Sequence, residues 1–503
     1  MRARDKSLVG RSLYCELRER VKVDRVFLFA HSQYRHLLLQ MAQLLRQDHG
    51  AEIHLYCSTT QELNFWQKEN SDGLFESINV DNNLYGEVEK TTEGRESVII
   101  DRAKEIEEWL GVTINEIAVC DRHLGRGYAL GGFNHPRSRY SERTSYLQMV
   151  AAFCAQIDFW IREFEQKKPT LVMAHGKVPC LVSRRYGIPL RVLAGSRFKN
   201  LHYWAENEFF ESSGIEEEYI KAKGESTLEI EAPYRAHMTL RDKFIKDQGI
   251  FRLLFQSAKL VLQRSYWRIR NYEKSKGYFV TSELSFLWRR RRDLRYLSSI
   301  SIPLSDLEGD RFVYYPLHTE PEVALQVLSP EYFYQLSSIA AISRDLPAGV
   351  KLAVKETFAA AGRRPADFYR QIKEFKNVVF VHPMELGLNV IKKAEGVVTI
   401  TGTAGLEAAV MGKPVITFGR HNIYNCLPHV SLVTDGSNIK EKLDDILNKK
   451  HKEDTSIRDG KRFLEGLSSI SFDMKQYDFI NLNDIEKSSA TDALKCLVES
   501  LER

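Results

Sequence analysis

Hydrophobic and polar positions alternate along this chain in two distinct rhythms. Short apolar runs of strand length, rich in Val, Ile, Leu and Phe, are separated by longer stretches with helical spacing. Arg25–His31 reads as a strand, Tyr34–Gln47 as a helix and Glu52–Cys57 as a second strand, which together make one βαβ unit. Asn64–Glu116 is charged, with a helix over Arg102–Leu110. Ser145–Phe164 is an amphipathic helix, Pro169–Gly176 a strand, Val182–Tyr186 a helix, and Gly187–Leu193 another strand. From about Phe209 to Arg295 the rhythm breaks, and Leu240–Phe255 and Lys259–Asn271 are predicted as helices. Ser299–Asp310, with its Pro and Gly, reads as a linker.

Beyond the linker the pattern is at its most regular. Strands Phe312–Leu317, Lys351–Lys355 and Val378–Val381 alternate with helices Pro321–Leu346, Pro365–Phe375 and Leu386–Ala394. Then come Val397–Phe418, a strand–turn–helix–strand unit, the strand Val430–Val433 and the helix Ile439–Leu447. Six strands that are nearly all apolar predict a doubly wound parallel sheet buried on both faces. The fold class expected is α/β: two Rossmann-like domains, a helical insertion and a helical tail. Residues 1–300 form the first domain, with the insertion at about 209–298. Residues 301–450 form the second, and 451–503 a tail crossing back to the first.

Length and composition agree. The 503 residues exceed one ordinary core, and 43% hydrophobic with 28% charged residues describe a soluble globular protein. A net charge of +5 is mild and suits an anionic ligand or lipid surface. The 7 cysteines are scattered without CxxC spacing, which suggests no zinc site or disulfide framework and fits a cytoplasmic protein. No apolar leader or membrane-length run is visible. Arg264–Arg270 and Trp288–Arg292 mix aromatic and basic side chains. A solvated insertion, a peripheral contact with anionic membrane at the inner face of the plasma membrane, and a nucleic-acid surface would all use such residues. No nucleic-acid motif accompanies them, so nucleic acid is not expected as a partner.

Candidate chemistry clusters at strand ends, where open α/β sheets bind ligands. Thr401, Gly402, Thr403, Ala404 and Gly405 form a small-residue turn into a helix, with Thr403 as N-cap and free N–H groups for phosphate. The two glycines would leave a ligand unobstructed. Glu407 would face the same crevice and accept from ribose hydroxyls. An ordinary tight βα turn uses the same small residues. His31 and His175 each close a strand of the first domain, as ligands or as satisfied structural groups. The loop Asp121–Tyr128 holds several ionisable residues and two glycines, as an acceptor site or a solvated loop would. No metal-ligand spacing and no GxGxxG are present, so neither a metal nor a dinucleotide cofactor is expected.

The motifs Tyr314–Glu322, Val354-Lys355-Glu356, Asp367-Phe368-Tyr369, Thr401–Ala408 and Gly412-Lys413-Pro414 resemble those of the capsule and surface polysaccharide biosynthesis proteins. That family includes the β-Kdo transferases of bacterial capsule assembly. The resemblance covers about Phe312–Gly419, and the first domain only in general layout. The family continues Lys-Glu with His-Pro, whereas Thr357-Phe358 follow here and a His-Pro stands at His382-Pro383. The resemblance implies a GT-B glycosyltransferase without a catalytic metal. It would move a sugar from CMP-Kdo or a UDP- or GDP-sugar to a surface polysaccharide or lipid-linked glycan. The donor would then meet His318, Glu320, Lys355, Glu356 and the Thr401–Glu407 turn. Asp121 is placed first as base, with His31 and His175 beside it. A UDP-sugar 2-epimerase and a non-catalytic assembly scaffold are the alternatives.

Overall fold

The computed structural model describes residues 23–503 except 59, 71, 82, 122–123, 125–138, 229, 231–237, 240, 243–248, 271–278, 320–321, 333, 359, 434–437 and 449–451. Two seven-stranded sheets organise the chain. The first runs β14-β6-β5-β4-β1-β2-β3. Its parallel part comprises β1 (Arg25–Phe29), β2 (Glu52–Cys57), β3 (Ser77–Val80), β4 (Leu171–Met173) and β5 (Leu190–Gly195). β6 (Leu201–Ala205) turns back antiparallel on β5, and β14 (Phe472–Asp473) pairs antiparallel with β6.

The second sheet runs β13-β12-β11-β8-β9-β10-β7 and is parallel at every pairing. Its strands are β7 (Ser301–Ile302), β8 (Arg311–Pro316), β9 (Val350–Lys355), β10 (Val378–Val381), β11 (Gly396–Thr399), β12 (Val415–Thr417) and β13 (Val430–Leu432). The six strands read from apolar runs are all present. β7 lies within the stretch read as a linker, where two residues pair with the end of β10 and add an edge strand.

The helices that position the site are numbered in chain order: α1 (Arg35–His49), α2 (Tyr146–Lys167), α3 (Lys177–Arg185), α4 (Ser213–Lys221), α5 (Ile250–Ile269), α6 (Val280–Ile300), α7 (Gly387–Lys393), α8 (Thr403–Val410), α9 (Glu453–Ser469) and α10 (Lys487–Glu502). α2 starts with a capping box, in which Ser145 accepts from Gln148 N and the Gln148 side chain accepts from Ser145 N. Its apolar face covers the first sheet through Ile157, Trp160 and Phe164.

Three local expectations give way. The long helix read over Pro321–Leu346 is a short helix at Val323–Gln326, a 3₁₀ turn at Pro330–Tyr332 and a helix at Gln335–Asp345. Pro330 cannot donate to the preceding turn, and it disfavours helical backbone at Ser329. One helix, α5, spans much of the region read as two, although 243–248 and 271–278 lie outside the described residues. The N-cap of α8 is Gly402, with no side-chain cap, rather than Thr403.

α6 packs against the second sheet. A Cβ at Gly362 would lie 2.7 Å from Arg290 N, and Leu294 shares a small cluster with Ala361, Phe358 and Met384. The chain end returns to the first sheet. α10 buries Ala490, Ala493, Leu494 and Leu497 in the cluster that holds Leu37, Met41 and Leu45 of α1. Between them, α9 lies against α4 on one side and α8 on the other.

Candidate active site in the interdomain cleft

Each sheet has a point where the strand order reverses: between β1 and β4 in the first, and between β8 and β11 in the second. Such switch points open a crevice beyond the carboxyl ends of the strands. His31 follows β1 and His175 follows β4, so the first sheet brings two histidines, 144 residues apart in sequence, to one crevice. Their rings meet edge to face at 4.8 Å. His318 follows β8, and the Thr401–Gly402 turn follows β11, which puts these together in the second.

The two crevices face one another across a cavity of about 480 Å³. His31, Tyr34, His175 and Lys177 line it from the first domain, and Val327, Leu406, His421 and Tyr424 from the second. Gly176, with φ 97°, sits in the left-handed half of backbone space between His175 and the start of α3, where a side chain would be strained. This turn points His175 into the cavity. Its ring has no hydrogen bond among the described residues. Burial lowers its pKa to about 3, helped by the neighbouring His31, so the ring is neutral. Burial also lowers the His31 pKa, and its Nδ1 accepts from Gln33 N at 3.2 Å. Glu208, buried on the same wall, pairs with Arg184 through Oε2, while its Oε1 has no partner among the described residues.

Arg197 joins the walls. It stands in the β5–β6 turn with φ 63°, and its guanidinium donates to Thr401 O of the second domain. Lys199, also left-handed at φ 51°, lines an adjoining groove with Arg197, Asn200 and Thr403. A second bridge stacks Phe209 on His421 at 4.0 Å, with His421 Nδ1 2.7 Å from Glu211 Oε1.

The α8 turn is held by the protein itself. Thr401 N donates to His318 Nε2 at 3.0 Å, which puts the ring proton on Nδ1, toward Gln335 Oε1 at 3.2 Å. Gln335 also accepts from His318 N and donates to His318 O. Burial keeps this ring neutral, with its pKa down at about 3. Gly402 N donates to Thr399 Oγ1 and Gly405 N to Gly402 O. Three of the five expected phosphate donors are therefore engaged, and Thr403 and Ala404 supply the remaining first-turn N–H groups. The space beside the glycines is filled as well. A Cβ at Gly402 would lie 2.8 Å from Thr399 Oγ1, and one at Gly405 2.3 Å from Tyr424 Oη. These glycines admit protein neighbours, not the unobstructed ligand expected of them.

Glu356 is wholly enclosed. It forms a two-pronged ion pair with Arg364 at 2.7 and 2.9 Å, and accepts from Tyr369 Oη at 2.8 Å and Thr357 N at 2.9 Å. Arg364 also donates to His318 O at 2.6 Å. The Lys-Glu, Asp-Phe-Tyr and Tyr-Pro-Leu-His motifs thus meet in one buried network through an arginine that no motif announced. Lys355 ends β9 and Glu407 lies in α8, within electrostatic reach of one another, and neither lines the cavity. Burial brings the Lys355 pKa down to about 8, against the pull of Glu356, Glu385 and Glu407. Burial raises the Glu407 pKa to about 7, opposed by Lys355.

Asp121 is half-buried just before the cavity wall. Its Oδ1 accepts from Leu124 N at 2.6 Å, and its neighbour Cys120, not Asp121 itself, lines the cavity. Glu320 and the remainder of the loop after Asp121, apart from Leu124, lie outside the described residues. No group of three or more metal-ligating side chains occurs among the described residues. Sequence reasoning missed Glu208, Gln335, Arg364, His421 and Tyr424. None sits in a motif, and only the fold brings them near the strand ends.

Comparison with known proteins adds a family to this geometry. Residues 271–459 match the family described as "Capsule polysaccharide biosynthesis protein". Over this stretch the chain is similar to that family. The matched stretch contains the whole second sheet and both its crevice walls, the region where the sequence motifs carry the same resemblance. No curated protein matches the chain. Among solved structures, the β-Kdo 2,7 transferase KpsC of Thermosulfurimonas dismutans is 14% identical, over 68% of this chain and 88% of its own, with a TM-score of 0.33. The UDP-GlcNAc 2-epimerase of Neisseria meningitidis is 12% identical, over 95% of this chain and 99% of its own, at 0.25. A glycosyltransferase from Rickettsia africae is 9% identical, over 95% and 98%, at 0.28. Likenesses this distant carry no functional weight. The fold reading rests on the two parallel-rich sheets facing across a cleft, which is the GT-B-like layout.

Proposed function

We propose that this protein is a metal-independent glycosyltransferase that moves a sugar from a nucleotide-sugar donor to a surface polysaccharide or lipid-linked glycan. The observation that carries the reading is the cavity between the two switch points, with a neutral, unbonded His175 on one wall and the α8 turn beside the other. CMP-Kdo, a UDP-sugar or a GDP-sugar is the donor class.

The donor phosphate lies at the start of α8, where the Thr403 and Ala404 N–H groups and the helix dipole favour negative charge. Lys355 and Arg197 add positive charge as the leaving phosphate gains it. Glu407 takes the ribose hydroxyls. His318 and Glu356 act one step back: His318 holds the turn through Thr401 N, and the Glu356–Arg364 pair holds His318. His175 is the base. A neutral imidazole has a lone pair for the acceptor hydroxyl proton, and incoming phosphate charge raises its proton affinity. This moves the role from Asp121, whose carboxylate caps Leu124 N, to a side chain in the cavity. Glu208 Oε1 accepts from a sugar hydroxyl.

Titration with CMP, UDP and GDP identifies the nucleotide, and product analysis with each sugar form separates transfer from epimerisation. His175→Asn should leave nucleotide affinity within about twofold and cut transfer roughly 10²- to 10⁴-fold, the usual worth of a general base. Transfer should persist in excess EDTA. Turnover lost to EDTA and restored by magnesium or manganese would refute metal independence.

A further inference from the structure

α5 is a helix with its apolar side turned outward. Of its twenty residues only Leu253 is buried. Phe251, Phe255, Leu262 and Ile269 are 84, 70, 70 and 80% exposed, and Ala258 and Tyr266 continue the same line at helical spacing. The opposite side rests on α6, where Arg264 forms a two-pronged ion pair with Glu283 at 2.8 and 2.5 Å and stacks over Trp267. A helix this amphipathic ordinarily buries its apolar stripe and offers its charges to water. Here the stripe faces away from the protein.

The charges say what covers it. Arg252, Lys259 and Arg270 project along one margin of the stripe and are exposed, as is Arg268. From Ile250 to Arg270 there is no Asp or Glu. Apolar bulk bordered by cations, without one carboxylate, matches the boundary between acyl chains and anionic headgroups. A second copy of α5 would bring like charge against like. No described helix is long and apolar enough to cross a membrane, so the contact is one of lying on the surface.

We infer that α5 docks this protein onto an anionic lipid surface, with Phe251, Phe255, Leu262 and Ile269 inserted and Arg252, Lys259 and Arg270 at the headgroups. The basic run on α6, Arg289–Arg292, is the less suited element. Arg289 bonds Ser285, Arg292 pairs with Asp293 at 3.0 Å, and the Arg290 backbone packs against Gly362. The inference stands independently of sugar transfer, because vesicle binding is measured without donor or acceptor.

The test is cosedimentation of the full chain with vesicles of phosphatidylethanolamine and phosphatidylglycerol, against pure phosphatidylcholine. Wild-type protein should bind the anionic vesicles and weaken with added salt. The variant Phe251→Ser/Phe255→Ser/Leu262→Ser/Ile269→Ser should lose at least roughly tenfold in affinity, since burial of apolar area drives insertion. Its melting temperature should not fall, because all four side chains are already in water. Arg252→Gln/Lys259→Gln/Arg270→Gln should lose about fivefold per charge at low salt. Absence of wild-type binding to anionic vesicles overturns the inference, and so does unchanged binding by the apolar variant. A dimer that the apolar variant converts to monomer, without vesicle binding, also overturns it and gives the face to a second copy. Nucleotide titration of the same variants tests the transfer reading separately.

Discussion

Gly405 illustrates how a residue can be right for a site while its reason differs from the obvious one. Its backbone has no positive φ, and the atom nearest to a Cβ would be Tyr424 Oη at 2.3 Å, followed by Thr399 Cγ2 at 2.7 Å. Gly405→Ala should therefore cost about 1–3 kcal/mol of stability by overpacking. Tyr424→Phe removes the nearest atom, so the double variant should recover part of the loss, with a coupling of at least ~0.5 kcal/mol in a denaturation cycle. Additive losses would show that Tyr424 is not the obstacle. Lys355 and Glu407 are coupled through charge instead. With the lysine brought down to about 8 and the carboxyl up to about 7, both are ionised in a narrow window. Phosphate attraction should fall as pH rises through about 8, because Lys355 loses its proton while Glu407 stays negative. Isothermal titration with the bound nucleotide at pH 6.5 and 9 checks this, and Lys355→Arg should flatten the curve. The linkage sign for Glu407 is opposite to that of a salt-bridged carboxylate. The folded state holds its proton more tightly than the unfolded, so ionisation works against folding as pH climbs from the usual carboxylate range through about 7. Glu407→Gln should gain stability relative to wild type at pH 8 compared with pH 5.

At the level of elements, α9 connects the two halves through glycines. A Cβ on Gly460 would meet Val410 O of α8 at 2.2 Å, and one on Gly466 would meet Tyr219 N of α4 at 2.6 Å. Backbone cannot move aside as a side chain tip can, so Gly460→Ala should cost about 1–3 kcal/mol and lower the melting temperature by several degrees. An unchanged melt would mean that α9 shifts freely. Nothing in the local sequence around Gly460 distinguishes it from a glycine that merely weakens a helix. The strands are the opposite case. Nearly all-apolar runs at β8–β13 imply a sheet covered on both faces, and the parallel direction follows from the helical crossovers. Elements set by partners distant in sequence were illegible: β14 is two residues that exist because β6 offers an edge. The candidate site divides in the same way. The placements of His31, His175, Lys355 and Glu407 were readable because strand ends and helix starts are local features. Arg364, Glu208 and Tyr424 were not, because their importance lies in what crosses the fold to meet them. His318 was readable as a residue but not in its role, since only Gln335 and Thr401 show that its ring is already bonded on both sides.

Across the whole molecule, the contact between Arg197 and Thr401 O ties a first-domain cation to the turn that opens α8 in the second domain. Its guanidinium also bears on His318 and Tyr424, whose pKa values it pulls downward. The β5–β6 turn holds Arg197 at φ 63°, a conformation that costs a non-glycine residue of order 1–3 kcal/mol and is kept where surrounding structure enforces it. That strain offers a clean experiment. Arg197→Gly removes the guanidinium and relieves the backbone together, so stability should change little or even rise, whereas Arg197→Ala would lose the charge and keep the strain. Nucleotide affinity should nevertheless fall with Arg197→Gly by roughly tenfold or more, the scale of a charge-assisted hydrogen bond. The loss should also shrink at high salt in the wild-type comparison, because part of the attraction acts through solvent. A nucleotide that binds Arg197→Gly as tightly as wild type would confine the donor site to the second domain alone. The cleft would then serve only to bring the acceptor to it.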